Sequence, residues 1–499
     1  NIDRLAYNGV RFTQMYNCGR CCPSRASLLT GLYPHQAGIG HMTQGVKKRI
    51  PSYQGYLRDD CVTIAEALKT GGYNTGMVGK WHVGGWYDIQ HPETWRPSTP
   101  GHPTPLQRGF DKFYGILEGA SSYYNPHTLM EDDNFISVGA DEEYYFTDAI
   151  SEKAVEMIRD FHQQGAPFFL YVAYTAPHWP LHALPEDIEK YRGKYLKGWD
   201  EVRNQRYERL IEMGIIDRRC RLSPRNLDAP PWEKVKYKTW EDARMATYAA
   251  QIDRMDQGIG KIMAELRKLG LEENTLVIFL SDNGGCAELL KENGWVERFI
   301  LPTRKGEKVR VGNDPEILPG PENTYMSYGL SWANVSNTPF LLFKHWVHEG
   351  GISTPAVFYW PARIKEPGRL VHEPVHFIDI MATCLDAAGL SYPEEYNGRI
   401  ITPLEGESLV PILHGENWKR EKPLFWEHEG NRAVRWGDWK LVCRNPGRWE
   451  LYNIQEDRSE LNDLAGRNLK KVKELEALYD EWADRCGVLS WNEVMWLLP

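Results

Sequence analysis

The chain has 499 residues, 25% of them charged and 42% hydrophobic, enough for a large core and two domains. Its formal net charge of −9 argues against nucleic acid as a partner and gives no global pull on an anionic substrate, so any such attraction must be local. Nine irregularly spaced cysteines form neither a disulfide framework nor a zinc pattern, no disulfides are expected, and no apolar run is long enough to span a bilayer.

In chain order, Asn1-Ile2-Asp3-Arg4-Leu5 reads as part of an amphipathic helix, without the strand an α/β domain normally supplies first and without a signal peptide. Cys21-Cys22-Pro23-Ser24-Arg25-Ala26-Ser27-Leu28-Leu29-Thr30-Gly31 is a loop turning into a short helix. Pro23 suits its first position and Gly31 its stop. Cys21 is thereby expected just before the helix, where unpaired N–H groups and the dipole favour an anion. Arg25 lies about one turn on, on the same face. Taken alone, this is a buried cysteine beside a helix.

Thr63-Ile64-Ala65-Glu66 is a capping box opening a helix that ends at Gly71-Gly72. A strand from Tyr73 to Val78 then leads into Gly79-Lys80-Trp81-His82. Thr147 to Gln164 reads as a helix, and Phe168 to Ala173 as an apolar strand delivering Thr175-Ala176-Pro177-His178. The polar stretch from Pro185 to Glu233 looks like an insertion. A helix from Ala243 to Leu269 precedes a strand, Thr275 to Leu280, that ends in Ser281-Asp282-Asn283-Gly284-Gly285. Lys344-His345-Trp346-Val347-His348-Glu349-Gly350-Gly351 leads toward a strand from Ala356 to Trp360. From about Lys422 the texture becomes short strands with Gly-Asn, Gly-Asp and Pro-Gly turns, followed by a helix from about Lys470 to Arg485.

Helix and apolar strand alternate, so the class is α/β with a buried, largely parallel sheet, plus a small antiparallel sheet with a helix. The expected division is 1–412 and 413–499. Lys80, His82, His178, Asp282 and Asn283 all fall just beyond the carboxyl ends of predicted strands, the edge where open α/β sheets bind ligands. A lone histidine there is more often structural than catalytic. Convergence on one edge raises the odds.

The Cys21 string resembles the signature of the type I sulfatases, Cys-x-Pro-Ser-Arg followed by an apolar run and Thr-Gly. The resemblance extends through Arg108-Gly109-Phe110-Asp111, the Lys344 to Glu349 spacing and Trp449-Glu450-Leu451-Tyr452, and is closest to bacterial arylsulfatase-like and carbohydrate sulfatases. Ser353 stands where many of that family carry Arg. The resemblance implies an alkaline-phosphatase-like sandwich with a large mixed, mostly parallel sheet between helices. It implies that a maturation enzyme oxidises Cys21 to formylglycine, whose hydrate attacks sulfur. One calcium ion would be bound through Asp282, Asn283, the Cys21 oxygen and an upstream Asp pair that this chain lacks. Arg25 would hold the developing oxyanion, and Lys80 and Lys344 would neutralise sulfate. His178 would protonate the leaving alcohol, and His82 would regenerate the aldehyde. Asp59-Asp60 and Asp132-Asp133 follow no apolar strand and are read as solvated surface.

The expected substrate is a sulfated small molecule or glycan, attacked from an end, in a periplasmic or secreted bacterial setting. Two loops are candidates for leaving-group contacts: Ser121 to Pro126, with Tyr124 and Asn125, and Trp426 to Asn431, with His428. For His428 a domain-interface hydrogen bond is an equal reading. The rival functions are a phosphate or phosphonate monoester hydrolase of the same superfamily and an inactive, truncated sulfatase-like binding protein.

Overall fold

The computed structural model describes residues 1–46, 50–89, 91, 95–97 and 99–498. A first helix, α1 (Ile2–Asn8), leads into β1 (Val10–Tyr16), and the signature follows as α2 (Cys21–Thr30). Next come β2 (Asn74–Lys80), β3 (Lys112–Ile116), β4 (Leu129–Glu131), β5 (Asn134–Phe135), β6 (Phe168–Ala173) and β7 (Val277–Leu280). β2 lies between two parallel neighbours, β3 and β6, while β4 and β5 extend that sheet antiparallel. β1 pairs antiparallel with the strand Ser353–Tyr359, which pairs antiparallel with β7, and parallel with Leu370–Val371 and Val375–His376. The sheet system is mixed because β1 and Ser353–Tyr359 are joined by long excursions, which leave strand direction free.

Helices cover both faces. Phe146–Gln164 packs against the long helix Lys238–Lys268 on one side, and α2, Ile64–Lys69 and Asp379–Ala387 group on the other. The capping box at Thr63 forms as expected, with the Thr63 hydroxyl accepting from Glu66 N and the Glu66 carboxylate accepting from Thr63 N. Asp59 and Asp60 pair with Arg399 and Arg58, and Asp132 accepts from Phe113 N, so both acidic pairs serve the fold.

Strand β6 is apolar throughout yet mostly half-buried, as is β7. The cause is topological. Each ends its sheet, and both line one cleft of about 2250 Å³ whose walls include Phe169, Tyr171, Phe279 and Leu280. The cleft runs to Arg25, Lys80, His178, Asp282 and Asn283.

The polar stretch 185–233 carries its own helices, Pro185–Glu189 and Trp199–Glu212. It is pinned by Trp199 and Trp232 stacked edge-on against each other, with rings 4.8 Å apart, and against Trp332.

Near the C-terminus, Leu424–His428, Asn431–Trp436, Trp439–Cys443 and Trp449–Asn453 form a four-stranded antiparallel sheet in sequential order. The helix Leu469–Cys486 lies across it, with Trp482 stacked on Phe425 at 5.2 Å. A buried ion network fastens the sheet to the rest. Lys440 donates to Glu349 at 2.9 Å and to Glu460 at 2.8 Å, and Arg458 reaches Glu349 at 3.3 Å. Trp426 Nε1 also donates to Asn17 O at the end of β1. The nine cysteines are unpaired. Among the described residues no helix is long and apolar enough to cross a membrane.

Candidate active site

Helix α2 begins at Cys21 itself, with Arg20 as its cap, so Cys21 is the first helical residue and not the one before the helix. Pro23 occupies the third position instead of the first. The first turn has no intrahelical acceptors for its N–H groups, so proline is tolerated throughout it and marks the start only loosely. Gly31 closes the helix in the left-handed conformation, at φ 69°.

Cys21 is buried, and its thiol is held well below its ordinary value. A hydrogen bond from the Cys22 thiol is the main cause, helped by Lys80, His82 and Lys344 and opposed by burial. The Sγ position therefore favours a negative charge. An oxygen placed there by oxidation meets the same field.

Arg25 is fixed on three sides. Its Nε donates to Asp282 Oδ2 at 3.0 Å, and its terminal nitrogen donates to Lys80 O at 2.7 Å and to the Tyr171 hydroxyl at 3.2 Å. Lys80 is the last residue of β2, not beyond it, and burial lowers its pKa. His82 has φ 55°, and burial pushes its imidazole down to about 4, leaving a neutral ring beside Cys21. Its Nδ1 is buried without a hydrogen bond among the described residues. Gly119 makes room for the ring, since a Cβ there would stand 2.5 Å from His82 Cε1.

His178 is held neutral, first by burial and then by the cations Lys344 and Lys80. Its Nδ1 donates to Trp179 O at 2.8 Å, which leaves Nε2 to accept from Lys344 Nζ at 3.1 Å. Lys344 is raised, burial being outweighed by Cys286 and Glu288. Glu288 escaped the sequence reading. It accepts from Arg20 at 2.9 Å and from Trp179 Nε1 at 2.9 Å, and lies 4.0 Å from Lys344. Burial pulls its pKa up, but Lys344 and Arg20 keep it well below the usual carboxylate range. Its only sequence signal is proximity to the Asp282-Asn283 turn.

Asp282 and Asn283 follow β7 and enter the same space. Asn283 Nδ2 donates to Gly284 O, while its Oδ1 is buried without a hydrogen bond among the described residues. At Ser353, where an arginine was missed in the sequence, Arg458 of the C-terminal region donates to the Ser353 hydroxyl at 2.8 Å.

The three leaving-group candidates do not join this cluster. The Tyr124 hydroxyl donates to Ala183 O and Gly320 O, and the Asn125 amide donates to Pro302 O at 3.0 Å. It is Tyr123, one residue earlier, that touches the site's scaffold, donating to His178 O at 2.9 Å. His428 is 0% exposed and so presents no surface to a sugar.

A low-pKa position at a helix start, two buried lysines, one arginine and two neutral histidines at the end of an α/β sheet suit hydrolysis of an anionic ester. The chain belongs to the sulfatase family: the Sulfatase family model matches residues 1–390, and that of the N-sulphoglucosamine sulphohydrolase C-terminal region matches residues 340–481. It is a sulfuric ester hydrolase. The chain is 31% identical to an uncharacterized sulfatase of Schizosaccharomyces pombe, over 98% of this chain and 90% of that protein. It is also 31% identical to an arylsulfatase of Klebsiella aerogenes, over 85% of this chain and 89% of the other. Among solved structures, that of Ps i-CgsB in complex with k-i-k-neocarrahexaose is similar at TM-score 0.66 and 26% identity, covering 97% of this chain and 86% of that one.

Proposed function

We propose that the protein removes sulfate from a saccharide, with formylglycine derived from Cys21 as the nucleophile and aryl sulfates as side substrates. The observation that carries this reading is the environment of Cys21, the first residue of α2: the Cys22 thiol, then Lys80, His82 and Lys344, favour negative charge on one buried atom. One hydroxyl of the hydrated aldehyde, ionised in that environment with its proton released to water, attacks sulfur, and the S–O bond to the alcohol breaks. The alcohol takes its proton from the His178–Lys344 pair. Nε2 accepts from the ammonium at 3.1 Å, so that pair holds the proton between its two nitrogens. The anionic ester, once bound, favours the protonated imidazole. The neutral His82 then removes the proton of the second hydroxyl, the carbonyl re-forms and sulfate leaves. A serine hydroxyl has no second hydroxyl with which to expel its own ester. Lys80 and Arg25 offset the charge building on the sulfate oxygens.

Asp282 and Asn283 offer oxygen donors, and the unbonded Asn283 Oδ1 suits a cation. Calcium takes 6–8 oxygens, however, and Asp282 Oδ2 already serves Arg25. These residues alone do not make a calcium shell.

Two measurements test the proposal together. Mass spectrometry of the peptide containing Cys21, from protein made with the maturation enzyme, should show the aldehyde. Matched aryl sulfate and phosphate esters should differ in kcat/KM in favour of sulfate. An unmodified thiol in an active preparation, or a preference for phosphate, overturns it.

A further inference from the structure

Outside the catalytic cluster, three chain segments meet around one carboxylate. Glu429 Oε2 is 3.0 Å from His345 Nδ1, and its Oε1 is 3.6 Å from His428 Nε2 and 3.4 Å from His41 Nδ1. One ligand atom each from His345, His428 and Glu429 lie within 4.8 Å of one another. We propose that His345, His428 and Glu429 form a binding site for a transition-metal cation of the zinc type, with water as its fourth ligand.

The donor chemistry fits. Imidazole nitrogens and a carboxylate oxygen are zinc ligands, bound at about 2.0–2.2 Å, and four of them in a tetrahedron stand roughly 3.3–3.5 Å apart. The distances of 3.0 Å from Glu429 to His345 and 3.6 Å to His428 bracket that spacing, and the three donors all lie within 4.8 Å of one another.

The second observation is His428 itself. It is 0% exposed, and neither ring nitrogen makes a hydrogen bond among the described residues. Leaving a buried polar group unmet costs stability. A cation on Nε2 relieves part of that. If the cluster were only a hydrogen-bonded knot, Glu429 would be expected to bond this ring, and it does not.

The backbone has been bent to make the cluster. His345 has φ 95° and Glu429 φ 52°, both in the left-handed region that non-glycine residues avoid. Glu427 stabilises the Glu429 turn by accepting from Gly430 N at 2.7 Å. The neighbouring cation, Arg20, is engaged by Glu288 at 2.9 Å. Entry is open, since the side chains of His345 and Glu429 are 28% and 21% exposed. The ion would tie the residue next to Lys344 to the first hairpin of the C-terminal sheet. Its role is to hold catalytic segments in place, without touching the substrate.

The test uses the full chain dialysed against a chelator, then titrated with Zn²⁺ by calorimetry and with Co²⁺ by visible absorption. One Zn²⁺ per chain should bind and raise Tm, and Co²⁺ should give the intense bands of a four-coordinate site. His428→Asn and Glu429→Gln should each weaken binding by more than the ~10–100-fold that loss of an outer-shell partner costs. His82→Ala should leave binding unchanged, which separates this site from the Cys21, Cys22 and His82 group. Should His428→Asn fail to fold, His345→Gln, on a partly exposed side chain, carries the comparison. No saturable binding by the folded wild type overturns the proposal. So does binding that survives the cluster variants and is lost in His82→Ala.

Discussion

At the residue scale the informative pair is His178 and Lys344. A histidine that already accepts from an ammonium donates a proton well only when substrate charge draws that proton onto it. Its removal should therefore depend on how much the leaving group needs protonation. Cys21→Ala is expected to abolish turnover of every ester. His178→Ala is expected to reduce kcat/KM on a sulfated saccharide by about 10²–10⁴-fold and on a nitrophenyl-type sulfate far less. Equal losses on both would remove His178 from the leaving-group step. Glu288 shows what residue types cannot reveal. No motif marks it, yet with Cys286 it raises the pKa of Lys344, and it accepts hydrogen bonds from Arg20 and Trp179.

At the scale of elements, two features lend themselves to test. The first is the junction between the catalytic region and the C-terminal sheet. Lys440 and Glu349 are each 0% exposed, and their ion pair, shared with Glu460 and Arg458, replaces an apolar seam. Lys440→Met leaves two carboxylates short of a partner, and denaturant unfolding should show a loss of about 3–5 kcal/mol. A loss below ~1 kcal/mol, the range of exposed pairs, would mean the network is wet. The second is the cleft between β6 and β7. Its width, apolar walls and two free strand edges suit one more strand, and its inner end opens beside Asp282 and Asn283. The residues in hand should bind Ca²⁺ too weakly to saturate in calorimetry. A chain extended at the N-terminus by a strand ending in two aspartates should bind tightly and melt higher. Equal affinity for the two chains would place the calcium ligands elsewhere.

For the whole molecule the buried histidines set the response to acid. Burial is the leading cause that brings His82 and His182 to about 4 and His376 to about 3, below the unfolded value of about 6.5. Between these values the unfolded chain binds more protons than the folded one, so stability rises with pH across that window. It is fully present above about 6.5 and is lost as pH falls toward 4, with each group contributing up to roughly 3 kcal/mol. Tm should drop steeply from pH 6.5 to 4, and His376→Gln should flatten the slope. A Tm independent of pH over that range would mean these rings charge inside the fold.

The sequence by itself determined the family and the local elements. The Thr63 cap, the Gly31 stop, the strand from Phe168 to Ala173 and the Cys21 string are short-range signals, written in adjacent residues. It also placed Lys80, His82, His178, Asp282 and Asn283 in one region, because strand ends in an α/β sheet share an edge. Only the tertiary structure decided what depends on distant partners. It put Arg458 at Ser353, Glu288 between two cations, and Tyr123 in place of Tyr124 against the His178 backbone. It buried His428 beside His345 and Glu429 and turned Tyr124 and Asn125 toward backbone carbonyls. It left β6 and β7 half-buried despite their apolar sequences. Such outcomes hang on which segment, tens or hundreds of residues away, arrives opposite a given side chain. Periodicity and motif spacing carry no record of that.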